Sequence, residues 1–119
     1  MTILMVINAA LAAGSAAFGI VAMLRPGLLI GGRTNDEPTH YYAQMYAARA
    51  IPFGLVTVAG CLVAAFSTDA EAVTFALLLA IGVSQVGDAA IGVRHRIVGM
   101  TVGASVAAVV HLATAIVMR

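Results

Sequence analysis

Four long apolar runs fill almost all of this 119-residue chain, and they dictate the solvent it folds in. A helix rises roughly 1.5 Å per residue, so about 20 mostly apolar residues cross a hydrocarbon layer some 30 Å thick. The first run ends at Arg25-Pro26-Gly27 and the second at the polar stretch Ser67 to Glu71. The third ends at Arg94-His95-Arg96 and the fourth at Arg119. Only 9% of the residues are charged and 62% are hydrophobic, too few charges to cover a folded exterior in water. The expected fold class is therefore all-α, a four-transmembrane-helix bundle. It forms a single integral membrane domain over 1–119, with helices at about 3–24, 37–66, 72–93 and 99–118.

The first run has no Lys or Arg before it and is too long for a signal-peptide core, so it reads as a span. All six basic residues are Arg. Five of them, Arg25, Arg33, Arg49, Arg94 and Arg96, fall at the first and third connections, against Arg119 on the other side. By the positive-inside rule those connections are cytoplasmic and both termini are outside. Arg-only basicity with much Ala, Val and Gly suggests a bacterial inner-membrane protein from a GC-rich genome.

The long first connection carries Pro26, Gly27, Gly31 and Gly32, which mark irregular backbone. Thr34-Asn35-Asp36-Glu37-Pro38 then reads as a helix start, with a capping Asn or Asp and an early Pro. The following Tyr41, Tyr42 and Tyr46 suit an aromatic belt at headgroup depth. Within lipid, helices associate through small residues and polar contacts. Gly99-x-x-x-Gly103-x-x-x-Ala107 in the fourth run and Ala12, Ser15 and Gly19 in the first are candidate packing faces of a compact bundle. Pro52 deprives the Ala48 carbonyl of its helical donor and is expected to kink the second helix.

Polar groups at depth are the functional candidates, because each ionisable one costs about 2.5–3.5 kcal/mol to insert. Asp88 lies near the cytoplasmic end of the third run, and Arg49 lies at matching depth in the second. An ion pair bridging the two helices satisfies both. Tyr42 and Tyr46 share a helical face with Arg49, and Ser84 and Gln85 share one with Asp88. These six could line one cytoplasm-facing pocket, with Gly87 and Gly92 allowing close approach. His111 in the fourth run and Asn8 in the first face each other beyond the midplane, either as an interhelical hydrogen bond or as part of a proton path to Asp88. The expected ligand-binding set is thus Tyr42, Tyr46, Arg49, Ser84, Gln85, Asp88, His111 and Asn8, with Asp88 and Arg49 as the candidate catalytic residues. No metal-ligand cluster, phosphate loop or nucleophile elbow appears, and the lone Cys61 sits in an apolar run. No cofactor or metal is expected, and a net charge of +1 offers nothing to nucleic acid.

Tyr46-Ala-Ala-Arg49-Ala-Ile-Pro52-Phe-Gly54 with Gly60, together with Gln85-Val-Gly-Asp88, resembles the small actinobacterial four-helix membrane proteins grouped with DoxX-like families. In that pattern the first Arg is followed by a Gly and then an Arg–acid pair. Here Pro52, Gly54 and Leu55 stand in those places, so Arg49 and Asp88 are what carries over. The resemblance implies a fold and no particular reaction.

Three functional classes follow. The first is a membrane module that binds a lipophilic ligand or packs on a larger membrane complex. The second is a small membrane enzyme, an isomerase, cyclase or hydrolase of lipophilic substrates, with Asp88 as acid or base. The third is a proton-coupled small-molecule exporter working as an oligomer. The length is similar to that of the small multidrug exporters, but the first helix lacks the acid those carry. Expected partners are membrane lipid, a lipophilic small molecule, and a second copy or larger complex.

Overall fold

The computed structural model describes residues 1–30 and 36–119. Gly31, Gly32, Arg33, Thr34 and Asn35 lie outside the described residues, and with them part of the expected interface turn and one of the counted arginines. Among the described residues four α-helices make up the fold, α1 (Thr2–Leu24), α2 (Glu37–Ala64), α3 (Glu71–His95) and α4 (Val98–Val117), with short 3-10 helices at Pro26–Ile30 and Thr68–Ala70. Each is long and apolar enough to cross a membrane, consistent with a multi-pass membrane protein. The long axis of the molecule measures 46 Å.

The helix ends follow local chemistry. Asp36 caps α2 by accepting hydrogen bonds from the Thr39 hydroxyl and, at 3.0 Å, the Thr39 backbone N–H. Those bonds, the hydroxyl's first, hold the Asp36 carboxyl below its ordinary pKa. Pro38 follows in the first turn, where a missing N–H costs nothing. α2 stops two residues short of the expected Phe66, because the Phe66 and Ser67 N–H groups both turn back to the Val63 carbonyl. α3 ends in a Schellman turn: Ile97 N–H bonds Gly92 O, Arg96 N–H bonds Val93 O, and Arg96 takes φ 56°. Gly normally fills that left-handed position, so an Arg there carries backbone strain. Pro52 lies inside α2, which continues through it as one helix.

Successive helices run antiparallel. Thr2 donates to Ala65 O at the start of α1, while Gly19 packs on Ala47 and Ile51, so α1 descends along α2. Thr74 donates to Gly60 O at 3.0 Å across α2 and α3. Gly82 faces Leu112 and Gly92 faces Thr101 across α3 and α4. The first and third connections therefore lie at one end of the bundle, the arginine-rich end.

Alanines dominate the core, around a few larger side chains such as Met5, Leu78 and Ile81, and most of the large apolar side chains lie on the exterior. Ala12, Ala16, Ala22, Ala43, Ala47, Ala104, Ala107 and Ala115 are buried, whereas Ile3, Leu24, Phe66, Val98, Val109 and Ile116 are exposed. That inversion suits lipid, where backbones gain by close approach and large apolar side chains lose nothing outside. The approach is close at Gly54, where a Cβ would stand 2.7 Å from the Ala12 carbonyl oxygen, and at Gly92, where one would stand 2.6 Å from the Thr101 hydroxyl. The bundle is not closed on every side. α1 and α4 touch over only a short stretch, near Asn8 and Thr114, and diverge towards the arginine-rich end.

Candidate functional site: a cleft between α1 and α4

The divergence of α1 from α4 leaves a cleft of about 690 Å³. Leu11, Gly14, Ser15 and Phe18 form the α1 wall, and Gly99, Gly103, Ala104 and Ala107 form the α4 wall. Gln85 and Asp88 of α3 close it at the back, Tyr46 of α2 joins them, and Leu28 and Arg96 stand at the arginine-rich end. The volume and the balance of apolar wall to few polar groups are those of a small-molecule site.

Asp88 is 6% exposed and Gln85 is 7% exposed. Arg49 Nη2 donates to Asp88 Oδ1 at 2.5 Å from the α2 side. The Arg49 guanidinium lies 5.7 Å from the centroid of the Tyr46 ring, which meets Phe18 edge-on at 5.8 Å. A cation on an aromatic face and a carboxylate beside it restrain the Arg49 head from two directions. Arg49 itself does not line the cleft.

Gln85 is oriented by Ser15. The Ser15 hydroxyl donates its one proton to Leu11 O at 3.2 Å, so Ser15 Oγ must accept from Gln85 Nε2, 3.0 Å away. The Gln85 carbonyl oxygen is thereby turned elsewhere. Neither Gln85 Oε1 nor Asp88 Oδ2 accepts a hydrogen bond from any described residue, and neither is sealed in the core. Both belong to side chains that line the cleft.

Below the cleft, Asn8 ties α1 to α4. Its amide nitrogen donates to Leu4 O at 2.7 Å and to Thr114 Oγ1 at 2.8 Å. Its oxygen faces His111 Nδ1 at 2.7 Å, so Nδ1 carries the proton. His111 Nε2 is then a bare acceptor, and it is buried without a partner among the described residues, as is Thr57 Oγ1.

The structure thus sorts the eight expected residues. Tyr46, Gln85 and Asp88 line the cleft, and Arg49 holds Asp88 from behind. Tyr42 does not join them: it is 63% exposed and stacks edge-on with Tyr41 at 5.8 Å. Ser84 is half-buried but does not line the cleft. Asn8 and His111 are hydrogen-bonded to each other in the core, away from it. No hydrogen-bonded chain among the described residues links His111 to Asp88, since Gln85 donates to Ser15 instead. Sequence reasoning missed the two long walls. Gly99 and Gly103 were candidates for a packing seam, yet a Cβ on either, or on Gly14, would meet nothing within 4 Å. Among the described residues no cluster of His, Cys, Asp or Glu is arranged to hold a metal. Comparison with protein-family models, with curated proteins and with solved structures finds no significant match to the chain.

Proposed function

We propose that the protein is a small membrane module that binds a lipophilic ligand in the α1–α4 cleft. The observation that carries this reading is an apolar cleft, open on its side between two membrane-length helices, whose inner end holds two buried polar side chains. A soluble ligand would gain little from such walls, whereas a molecule already dissolved in the bilayer enters sideways. Asp88, with one oxygen engaged by Arg49, serves as a fixed acceptor that orients the ligand. The enzyme reading needs Asp88 to exchange protons, and the exporter reading needs a relay, for which the Asn8–His111 pair supplies no link to Asp88. The DoxX-like resemblance of the Arg49 and Asp88 segments agrees with a four-helix membrane scaffold and adds no reaction to it.

We place the module in a bacterial inner membrane, with the arginine-bearing connections in the cytoplasm and both termini outside. A reporter fused after Arg119 is expected to be active only as a periplasmic enzyme, and activity only in the cytoplasm would reverse the assignment. Binding is tested by native mass spectrometry of protein released gently from its own membranes. An amphiphile is expected to co-purify at one per chain and to be lost from Gly103→Trp, whose ring fills open space rather than protein. Equal retention by both proteins would place the ligand elsewhere and end the cleft model.

A further inference from the structure

We infer that the cleft selects a neutral amphiphile through a hydroxyl group, whose one proton is shared between the Asp88 and Gln85 oxygens while its tail leaves between Gly14 and Gly103 into lipid. This rests on the ligand-binding reading above and specifies the chemistry of the ligand.

The donor and acceptor inventory sets the head group. Two acceptors at the inner end of the cleft, Asp88 Oδ2 and Gln85 Oε1, have no partner among the described residues and belong to side chains more than nine-tenths buried. The Ser15 hydroxyl proton is committed to Leu11 O, and the Gln85 N–H that faces Ser15 is committed there. What enters must therefore donate, because a ligand that shut these oxygens off from water without giving them a donor would leave them unsatisfied at a cost. Charge narrows the choice further. Asp88 and Arg49 together are electrically neutral, so the site does not call for a cation, and the carboxylate lone pairs repel an anionic oxygen. Depth points the same way. Asp88 lies seven residues before the end of α3 at His95, about 10 Å inward by helix rise, below the level at which a hydrated phosphate head sits. A single hydroxyl is small enough to be carried to that depth.

The walls set the tail. Gly14 on α1 and Gly99 and Gly103 on α4 have open space where a side chain would be, and all three line the cleft. They leave a slot at the level of the polar groups through which an alkyl or isoprenoid chain can pass laterally.

The test uses the full chain in lipid nanodiscs and a photoreactive long-chain alcohol as the probe. Hexadecanol, hexadecyl methyl ether, hexadecylamine and hexadecanoate compete for labelling. The expected result is label on α1 and α4 peptides, with hexadecanol displacing it about tenfold or more better than the ether, the ratio for one hydrogen bond to a charged acceptor. Gln85→Leu is expected to shrink that ratio severalfold while the protein stays folded, because Ser15 keeps its bond to Leu11 O. Gly103→Trp is expected to abolish labelling. Arg96→Gly suits the left-handed backbone at that position and removes the guanidinium at the mouth of the cleft. Ether and alcohol competing equally would overturn the hydroxyl selection while leaving the cleft as a ligand site. Stronger competition by hexadecanoate, lost in Arg96→Gly, would overturn it in favour of an anionic head held at the mouth. Stronger competition by the amine would overturn it in favour of a cation. Label that ignores Gly103→Trp would remove the ligand site itself.

Discussion

Arg49→Gln is expected to destabilise the protein more than Asp88→Asn, and the double variant is expected to lose less than the sum of the two. The asymmetry follows from burial: the Asp88 side chain is 8% exposed and that of Arg49 is 38% exposed. Removing Arg49 strands a carboxylate in a low-dielectric site with its oxygens unpaired. Removing Asp88 leaves a guanidinium that still rests on the Tyr46 ring and has a long stem to reach the headgroups. Breaking a fully buried pair costs about 3–5 kcal/mol, and an exposed one contributes about 0–1. This half-exposed pair lies between, and polar partners in the membrane-embedded unfolded state reduce both figures. The expected losses are about 2 kcal/mol for Arg49→Gln and about 1 kcal/mol for Asp88→Asn. Reversible unfolding in mixed micelles of all four proteins of the cycle measures them. A sum that matches the double variant to within about 0.5 kcal/mol would mean the two residues do not couple.

That pair was legible in the sequence because depth is countable. Arg49 and Asp88 each sit a fixed number of residues from an interface marked by charge, and helices of one rise put them at one level. The four helices were legible for the same reason, since run length against bilayer thickness leaves little choice. The cleft was not. Amphipathic contrast locates a buried face when one side of a helix is polar, but Gly14 and Gly103 stand in largely apolar runs as Gly54 and Gly82 do, so the four look alike in the sequence. Only the structure shows that Gly54 and Gly82 are packed tight and that Gly14 and Gly103 face open space.

The misplaced members of the expected site have geometric causes. Ser84 and Gln85 both neighbour Asp88, four and three residues before it, yet successive residues differ by about 100° around the helix. They therefore flank Asp88 on opposite sides, and the cleft lies on the Gln85 side. Tyr42 does lie on the Arg49 face, but seven residues nearer the start of α2, about 10 Å towards the interface. Face matching held for Tyr42, and depth removed it.

Asn8→Leu is expected to be the most damaging substitution in the lower half of the bundle, and adding His111→Leu is expected to restore part of the loss. Asn8 makes three hydrogen bonds in the core and joins α1 to α4, the pair of helices that otherwise scarcely touch. Without it, the Leu4 carbonyl keeps its place in the helix, and the Thr114 hydroxyl can turn to a backbone carbonyl one turn back. His111 has no such escape. Among the described residues its Nδ1–H loses its one acceptor and its Nε2 already has no partner, and the residue is fully buried. A buried polar group left unpaired costs about 1–3 kcal/mol, whereas replacing both partners with apolar groups of similar shape is close to neutral. The order of stability expected from equilibrium unfolding is therefore wild type, then the Asn8→Leu/His111→Leu double variant, then Asn8→Leu alone. His111→Leu alone is expected to cost less than Asn8→Leu, because it removes the unpartnered Nε2 and leaves Asn8 with two of its three bonds. A double variant less stable than Asn8→Leu would show that the His111 ring contributes through packing, and that its hydrogen bond to Asn8 is not what holds α4 against α1.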